Sequence, residues 1–314
     1  MTSGRSNVGH LPVMAAEVAG LLVTDRDGAY LDLTTGGGGH LKSLATRLGS
    51  RGRLFGIDRD QEAVDRATLA LKETTHVRMI IRAAFADLAA VAGRIGEESF
   101  SGILLDLGIS SYQLEDPGRG FSFRHDGPLD MRFDTSCGRP ASALIASFDQ
   151  KQLTRLIRQY GEEKQAARIA TAIVRERQKQ MIGTTLQLAD IVLNSVRPPH
   201  QTKSLARVFQ AFRIAVNDEL DQLARVLPLV LGFLVPGGRL AVISYHSLED
   251  RLVKRFLQAE TKGRCTCPPG IPLCVCGARP TMKTVTRRAC APRPDEIAQN
   301  PRARSARLRV GEKL

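Results

Sequence analysis

Four consecutive glycines stand where an apolar run gives way to a helical pattern, in Asp32-Leu-Thr-Thr-Gly36-Gly37-Gly38-Gly39-His40. Glycine adopts positive φ without steric penalty and lets a ligand approach the bare backbone. The surrounding pattern fixes what such a turn can belong to. Residues 29–33, 53–58, 78–85 and 102–107 are apolar runs of strand length, whereas 41–48 and 61–71 carry apolar residues at helical spacing. Strand–helix alternation of this kind predicts an α/β fold with a mostly parallel sheet covered on both faces. A fifth strand, 239–245, is expected after the turn Pro236-Gly-Gly. In a doubly wound sheet the turn after the first strand is where a nucleotide-like cofactor sits, against the start of the next helix.

The glycines do not fit G-x-G-x-x-G, because Leu41 occupies the third position, and no Gly-Lys-Ser/Thr follows to make a phosphate loop. An acid before the glycine turn, Asp32, with a second acid, Asp58, closing the second strand is the pattern of S-adenosylmethionine (SAM) sites. SAM presents a sulfonium cation, an amino-acid head and a ribose, so carboxylates suit it better than they suit a pyrophosphate. Asp58 is placed to accept both ribose hydroxyls.

The long stretch between the fourth and fifth strands exceeds an ordinary crossover and is largely helical in pattern. Asp149 is the expected N-cap of a helix reaching Tyr160 and stopped by Gly161. Ala166, Ile169, Ala170, Ile173 and Val174 form one stripe; Leu205, Val208, Phe209, Phe212, Val216, Leu220 and Leu223 form another. The expected organisation is a sheet domain from 1–112 and 205–314, interrupted by a helical domain over 113–204.

The chain carries a net charge of +13, and 251–314 alone holds 15 Lys and Arg against 4 Asp and Glu. This excludes an acidic disordered chain and points to a polyanionic partner. With no Trp and 5% aromatic residues, backbone charge rather than base stacking should dominate affinity for a nucleic acid. The longest apolar stretch, near 227–235, falls short of the roughly 20 residues a membrane span needs. No apolar core follows Met1, so no secretory signal and no membrane partner are expected, and the chain is read as cytoplasmic. Cys265, Cys267, Cys274 and Cys276 form C-x-C-x6-C-x-C. Four thiolates there suit a structural zinc, or four free thiols in a reducing compartment; no metal is assigned to the chemistry.

Several longer strings are more specific. They are Leu104-Leu-Asp-Leu-Gly-Ile-Ser-Ser-Tyr-Gln-Leu114, Arg119-Gly-Phe-Ser-Phe123, Gly127-Pro-Leu-Asp-Met-Arg132 and Tyr160-Gly-Glu-Glu163. Phe209-Gln-Ala-Phe-Arg-Ile214, Val216-Asn-Asp-Glu-Leu220, Ser244-Tyr-His-Ser-Leu-Glu-Asp-Arg251 and Asn300-Pro-Arg-Ala-Arg-Ser-Ala306 follow in order. Together they closely resemble the bacterial 16S rRNA cytosine-N4 methyltransferase family, also called MraW, from His10-Leu-Pro-Val almost to the C-terminus. The resemblance implies a class I SAM-dependent methyltransferase (Rossmann-like) with an inserted all-helical domain. It implies a cytidine of 16S rRNA in the decoding region as substrate, and the small ribosomal subunit or its precursor as partner; a homodimer stays open. It places SAM contacts on Gly38, Gly39, His40, Asp58, Phe85, Asp106 and Gln113, with Phe85 and Asp106 ending strands three and four. Three positions depart from the family's habit: Tyr112 stands for the usual Pro, Phe133 for Met and Tyr245 for Phe.

The exocyclic amine of cytosine is a weak nucleophile because its lone pair is delocalised into the ring. Such an enzyme must align the amine with the methyl group and accept its hydrogens. Asp106, Ser110 and Ser111 stand after strand four, where amino methyltransferases keep such acceptors. His246, after strand five, is a further candidate, either as proton acceptor or as a structural histidine. Arg132 and Arg213 are candidate phosphate contacts. Arg302, Arg304, Arg307 and Arg309 are expected on a short terminal strand with one charged edge.

Overall fold

A computed structural model describes residues 12–264, 266–268 and 275–314. It divides into two compact units: a sheet unit of residues 1–108 and 222–314, and a helical unit of 109–221. The sheet unit holds β1 (Ala29–Asp32), β2 (Arg53–Asp58), β3 (Val77–Arg82), β4 (Phe100–Asp106), β5 (Leu234–Ser244), β6 (Met282–Thr284) and β7 (Arg307–Lys313). Their order across the sheet is β3-β2-β1-β4-β5-β7-β6. The first five run parallel, and β7 lies antiparallel to both β5 and β6.

Successive strand residues face opposite sides, and each side has its own core. Leu31, Leu33, Ile57, Leu105 and Val242 pack with Val226, Val230, Val253 and Leu257. Tyr30, Leu54, Leu104, Ala241 and Ile243 pack with Val18, Leu22, Leu41, Leu44 and Ala306. Apolar residues on both faces explain why these strands read as unbroken apolar runs.

The helical unit is built round Leu153, Ile157, Ile169, Ile173, Leu188, Val192, Val208 and Phe212. Asp149 caps the helix Gln150–Gly161, its side chain accepting the Gln152 N–H at 2.7 Å. The chain returns to the sheet unit at Gln222 rather than at 205, the boundary read from sequence. The reason is the helix Gln201–Asn217, whose apolar face belongs to the helical core. The long stripe from Leu205 to Leu223 is therefore two helices. Asp218, at φ 52°, breaks it before the helix Glu219–Phe233, a conformation Asp tolerates better than most residues.

Two strand limits also move. β3 stops at Arg82, so Phe85 lies in the single turn Phe85–Asp87 instead of ending the strand. β5 begins at Leu234 and includes the Pro236-Gly-Gly segment expected as a turn before it, with a shift of register against β4. Among the described residues no helix is long and apolar enough to cross a membrane. Of the cysteine quartet, Cys265 and Cys274 lie outside the described residues, and with them the zinc reading.

Candidate active site

Parallel pairing brings the C-terminal ends of β2, β1 and β4 side by side. Asp32 pairs in register with Gly56 and Leu104, and Asp106 with Ile243. Three carboxylates, Asp58, Asp32 and Asp106, therefore end three adjacent strands. In open α/β sheets ligands bind in the crevice beyond these ends, where strand order reverses.

Asp32 is fully buried. Its Oδ1 accepts the Thr34 N–H at 2.9 Å and the Thr34 hydroxyl at 3.2 Å, while Oδ2 has no hydrogen-bond partner among the described residues. Burial pushes its pKa up to about 6, against the pull of His40 and Thr34. Asp58 is partly buried and spans the glycine turn: Oδ2 accepts the Gly36 N–H at 2.8 Å and Oδ1 the Asp60 N–H at 2.9 Å. Burial pushes it, too, up to about 6, although the Asp60 and Gly36 N–H groups favour the ionised form.

The turn needs glycine at two points. Gly36 and Gly38 have φ of 54° and 84°. A Cβ on Gly38 would come within 2.8 Å of Leu71 Cδ1, whereas one on Gly36 would meet nothing nearer than the Thr34 carbonyl at 3.9 Å. Gly38 is thus required by packing, and Gly36 leaves its backbone bare. Gly39 opens the short helix Gly39–Ala45, which carries His40 as its second residue.

His40 is buried, and its Nε2 lies 3.3 Å from Asp106 Oδ2 without forming a well-aligned hydrogen bond. Burial opposes protonation of the ring, but Asp106 and then Asp32 outweigh it and raise the pKa. Asp106 itself is pinned by its N–H to Thr34 Oγ1 at 2.6 Å, and its Oδ1 accepts the Tyr245 hydroxyl at 2.9 Å. The sequence alone points to Asp106, Asp58 and His40; Asp32 belongs there only to the glycine motif, and Tyr245 is only a departure from habit. The side-chain pattern of β1 was the available signal, since an acid inside an apolar strand end is costly unless something uses it.

His246 caps the helix Ser247–Thr261. Its Nδ1 accepts the Glu249 N–H at 3.4 Å, while Glu249 Oε2 accepts the N–H groups of Tyr245 at 2.8 Å and His246 at 3.3 Å. In the helical unit, Ser110 and Gln113 form a reciprocal capping box at the helix Ser111–Glu115. The Ser110 Oγ accepts the Gln113 N–H at 3.2 Å, and Gln113 Oε1 accepts the Ser110 N–H at 3.0 Å. This closes the turn that carries Tyr112 without the family's usual proline. Ser111 is the first residue of that helix.

The arginines expected to meet phosphate are mostly engaged. Arg132 makes a two-point pair with Asp130 at 2.8 and 2.7 Å, and Arg213 with Glu219 at 2.8 and 2.9 Å. The terminal four do not share an edge. Arg302 and Arg304 lie in the turn Pro301–Ser305, Arg307 and Arg309 lie on β7, and Arg309 pairs with Asp250 at 2.7 and 3.0 Å. Asn300 sets this break: its side chain accepts the Arg302 N–H and starts the turn.

The site fits a cation-bearing nucleoside. A buried carboxylate oxygen without a partner, a second carboxylate bracing a bare glycine turn and a third nearby oppose a pyrophosphate and favour hydroxyl donors and positive charge. Sheet order, the antiparallel β7 and this cluster define a class I methyltransferase carrying an inserted helical unit. Residues 7–314 match the MraW methylase family. The chain is 46% identical to ribosomal RNA small subunit methyltransferase H of Trichlorobacter lovleyi, over 97% of this chain and 98% of that one. It is 44% identical to the protein of that name from Geotalea uraniireducens, over 98% and 100%. With that of Thermomicrobium roseum it shares 46%, over 97% and 94%. The chain belongs to the MraW methylase family.

Proposed function

We propose that this methylase transfers the methyl group of SAM to the N4 amine of a cytidine in the decoding region of 16S rRNA. The observation that carries the reading is the trio Asp32, Asp58 and Asp106 at adjoining strand ends, with Asp32 Oδ2 buried and unpartnered among the described residues. The names of the relatives, all rRNA small subunit methyltransferases, supply the substrate class.

SAM, when bound, supplies a methyl group already activated on sulfur. Asp58 accepts hydroxyl hydrogens from the ribose, and Asp32 offers its free oxygen to the cationic part of the ligand. Gly36, Gly38, Gly39 and His40 shape the wall between them, with Phe85 flanking the adenine; the family resemblance adds Gln113 as a further contact. Asp106 accepts a hydrogen of the target amine, which draws the lone pair out of conjugation and toward the methyl group. Ser110 and Ser111 are candidate acceptors for the amine, and His246, whose Nδ1 already accepts the Glu249 N–H, is a candidate phosphate contact. The cytidine must leave its stack to arrive there.

The test is nucleoside mass spectrometry of 16S rRNA from a strain lacking the gene. One N4-methylated cytidine should disappear from the decoding region and return when purified protein and SAM are added to isolated small subunits. A full complement of methylated cytidine without the gene rejects the substrate assignment.

A further inference from the structure

We propose that Tyr245 is a positioning residue for methyl transfer: its hydroxyl locks the rotation of the Asp106 carboxylate, keeping Oδ2 turned toward His40 and ready for the amine. The proposal rests on the reading of Asp106 as amine acceptor.

The backbone of Asp106 is already immobile. Its N–H is held by Thr34 Oγ1 at 2.6 Å, and the next N–H, of Leu107, donates to the Ile243 carbonyl at 3.0 Å. What remains free is the carboxylate's own torsion, which is broad and nearly two-fold in an unrestrained Asp. The Tyr245 hydroxyl donates to Oδ1 at 2.9 Å, and His40 Nε2 stands 3.3 Å from Oδ2. With one neighbour on each oxygen, the two are no longer interchangeable.

Tyr245 is itself braced for this. Its N–H donates to Glu249 Oε2 at 2.8 Å, tying the residue to the start of the following helix. Its ring lies against Gly108, at φ 99°, where a Cβ would come 3.4 Å from the ring's Cδ2. Burial and then the charge of Asp106 hold the phenol well above its ordinary pKa. The hydroxyl therefore stays protonated and donates throughout the working range. A phenol that stays protonated beside a carboxylate orients it without competing for the amine's proton.

Tyr245→Phe removes only the hydroxyl. The hydrogen bond is to a charged group and acts in the transition state, so a rate loss of roughly tenfold or more is expected. The measurement is single-turnover methylation of isolated small subunits with labelled SAM at saturation, beside calorimetric SAM affinity and the melting temperature. Affinity should stay within about twofold and the melting temperature should hold, because the bond serves the amine rather than the cofactor. In an Asp106→Ala background, Tyr245→Phe should add nothing, since the partner it orients is gone.

A wild-type rate in Tyr245→Phe alongside a slow Asp106→Ala overturns this proposal alone. So do losses that multiply in the double variant, or a rate loss matched by a loss of SAM affinity or stability. A wild-type rate in Asp106→Ala overturns the role of Asp106 and this proposal with it.

Discussion

Two sets of carboxylates in the sheet unit live under opposite electrostatics. Near β7, Glu312 lies between Arg239 and Lys283, at 3.0 and 2.7 Å, and their hydrogen bonds, chiefly that of Lys283, hold it below its ordinary pKa. Asp250 is likewise gripped by Arg309. At the ends of β1 and β2, by contrast, Asp32 and Asp58 form no ion pair with Lys or Arg among the described residues, and burial pushes both up to about 6. An unsatisfied buried polar atom costs about 1–3 kcal/mol. A chain with 45 Lys and Arg is not short of cations to place there. The difference separates acids that hold the fold from the acids proposed to meet the ligand.

The comparison is broken most severely at Asp106, the proposed charged acceptor for the amine. Asp106→Asn keeps the shape and loses the charge, so single-turnover methylation at saturating SAM should fall by about a hundredfold or more. A wild-type rate would move Asp106 from the reacting amine to the cofactor or the fold. Asp58→Ala should act on binding instead, weakening SAM by about tenfold or more in calorimetry. Unchanged affinity would leave Asp58 with the single task of bracing Gly36.

Much of this was legible in the sequence because the sheet's periodicities are strong and its acids interrupt them. Asp58 ends an apolar run and Asp32 and Asp106 stand one residue from the ends of theirs, which puts all three near the strand ends that parallel pairing then gathers. Less legible was anything set by a partner distant in the chain. Nothing local to Arg309 announces Asp250, and nothing in the stripe from Leu205 to Leu223 announces that Asp218 turns it. Tyr245 stood out only by its identity; the hydroxyl's acceptor, Asp106, lies on another strand.

The pH dependence sharpens the contrast further. Asp32 and Asp58 have folded pKa values near 6, above the ordinary carboxylate value, so the folded protein binds extra protons between the two. Stability of the SAM-free protein should therefore fall as pH rises from about 4 through 6, the reverse of a salt-bridged acid. A ligand bringing positive charge and hydroxyl donors prefers the ionised carboxylates. SAM should bind more weakly as pH drops below about 6, by up to roughly tenfold per pH unit for each acid, and should release protons on binding. His40, whose own pKa is raised, shares the site and will round the curve. Calorimetry in buffers of different ionisation heat measures the released protons. A flat affinity from pH 5 to 8 would mean that these acids are not ligands.

The smallest expected effects lie among the basic residues at the other extreme. Arg309 spends Nε and Nη2 on Asp250, so it has less to offer a phosphate. Arg304 is exposed in the turn before β7, where a nucleic-acid backbone can reach it. Arg309→Gln should lower folding stability by about 1 kcal/mol, at the upper end for a partly exposed ion pair. It should leave the salt dependence of RNA binding unchanged. Arg304→Gln should do the converse, flattening the slope of log affinity against log salt by up to ~0.7–0.9 with no change in the denaturation midpoint. The two variants are equal in charge removed, so net charge cannot account for a difference between them. If Arg309→Gln flattens the slope as much as Arg304→Gln does, the Asp250 pair opens on RNA binding, and paired arginines here serve the substrate as well as the fold.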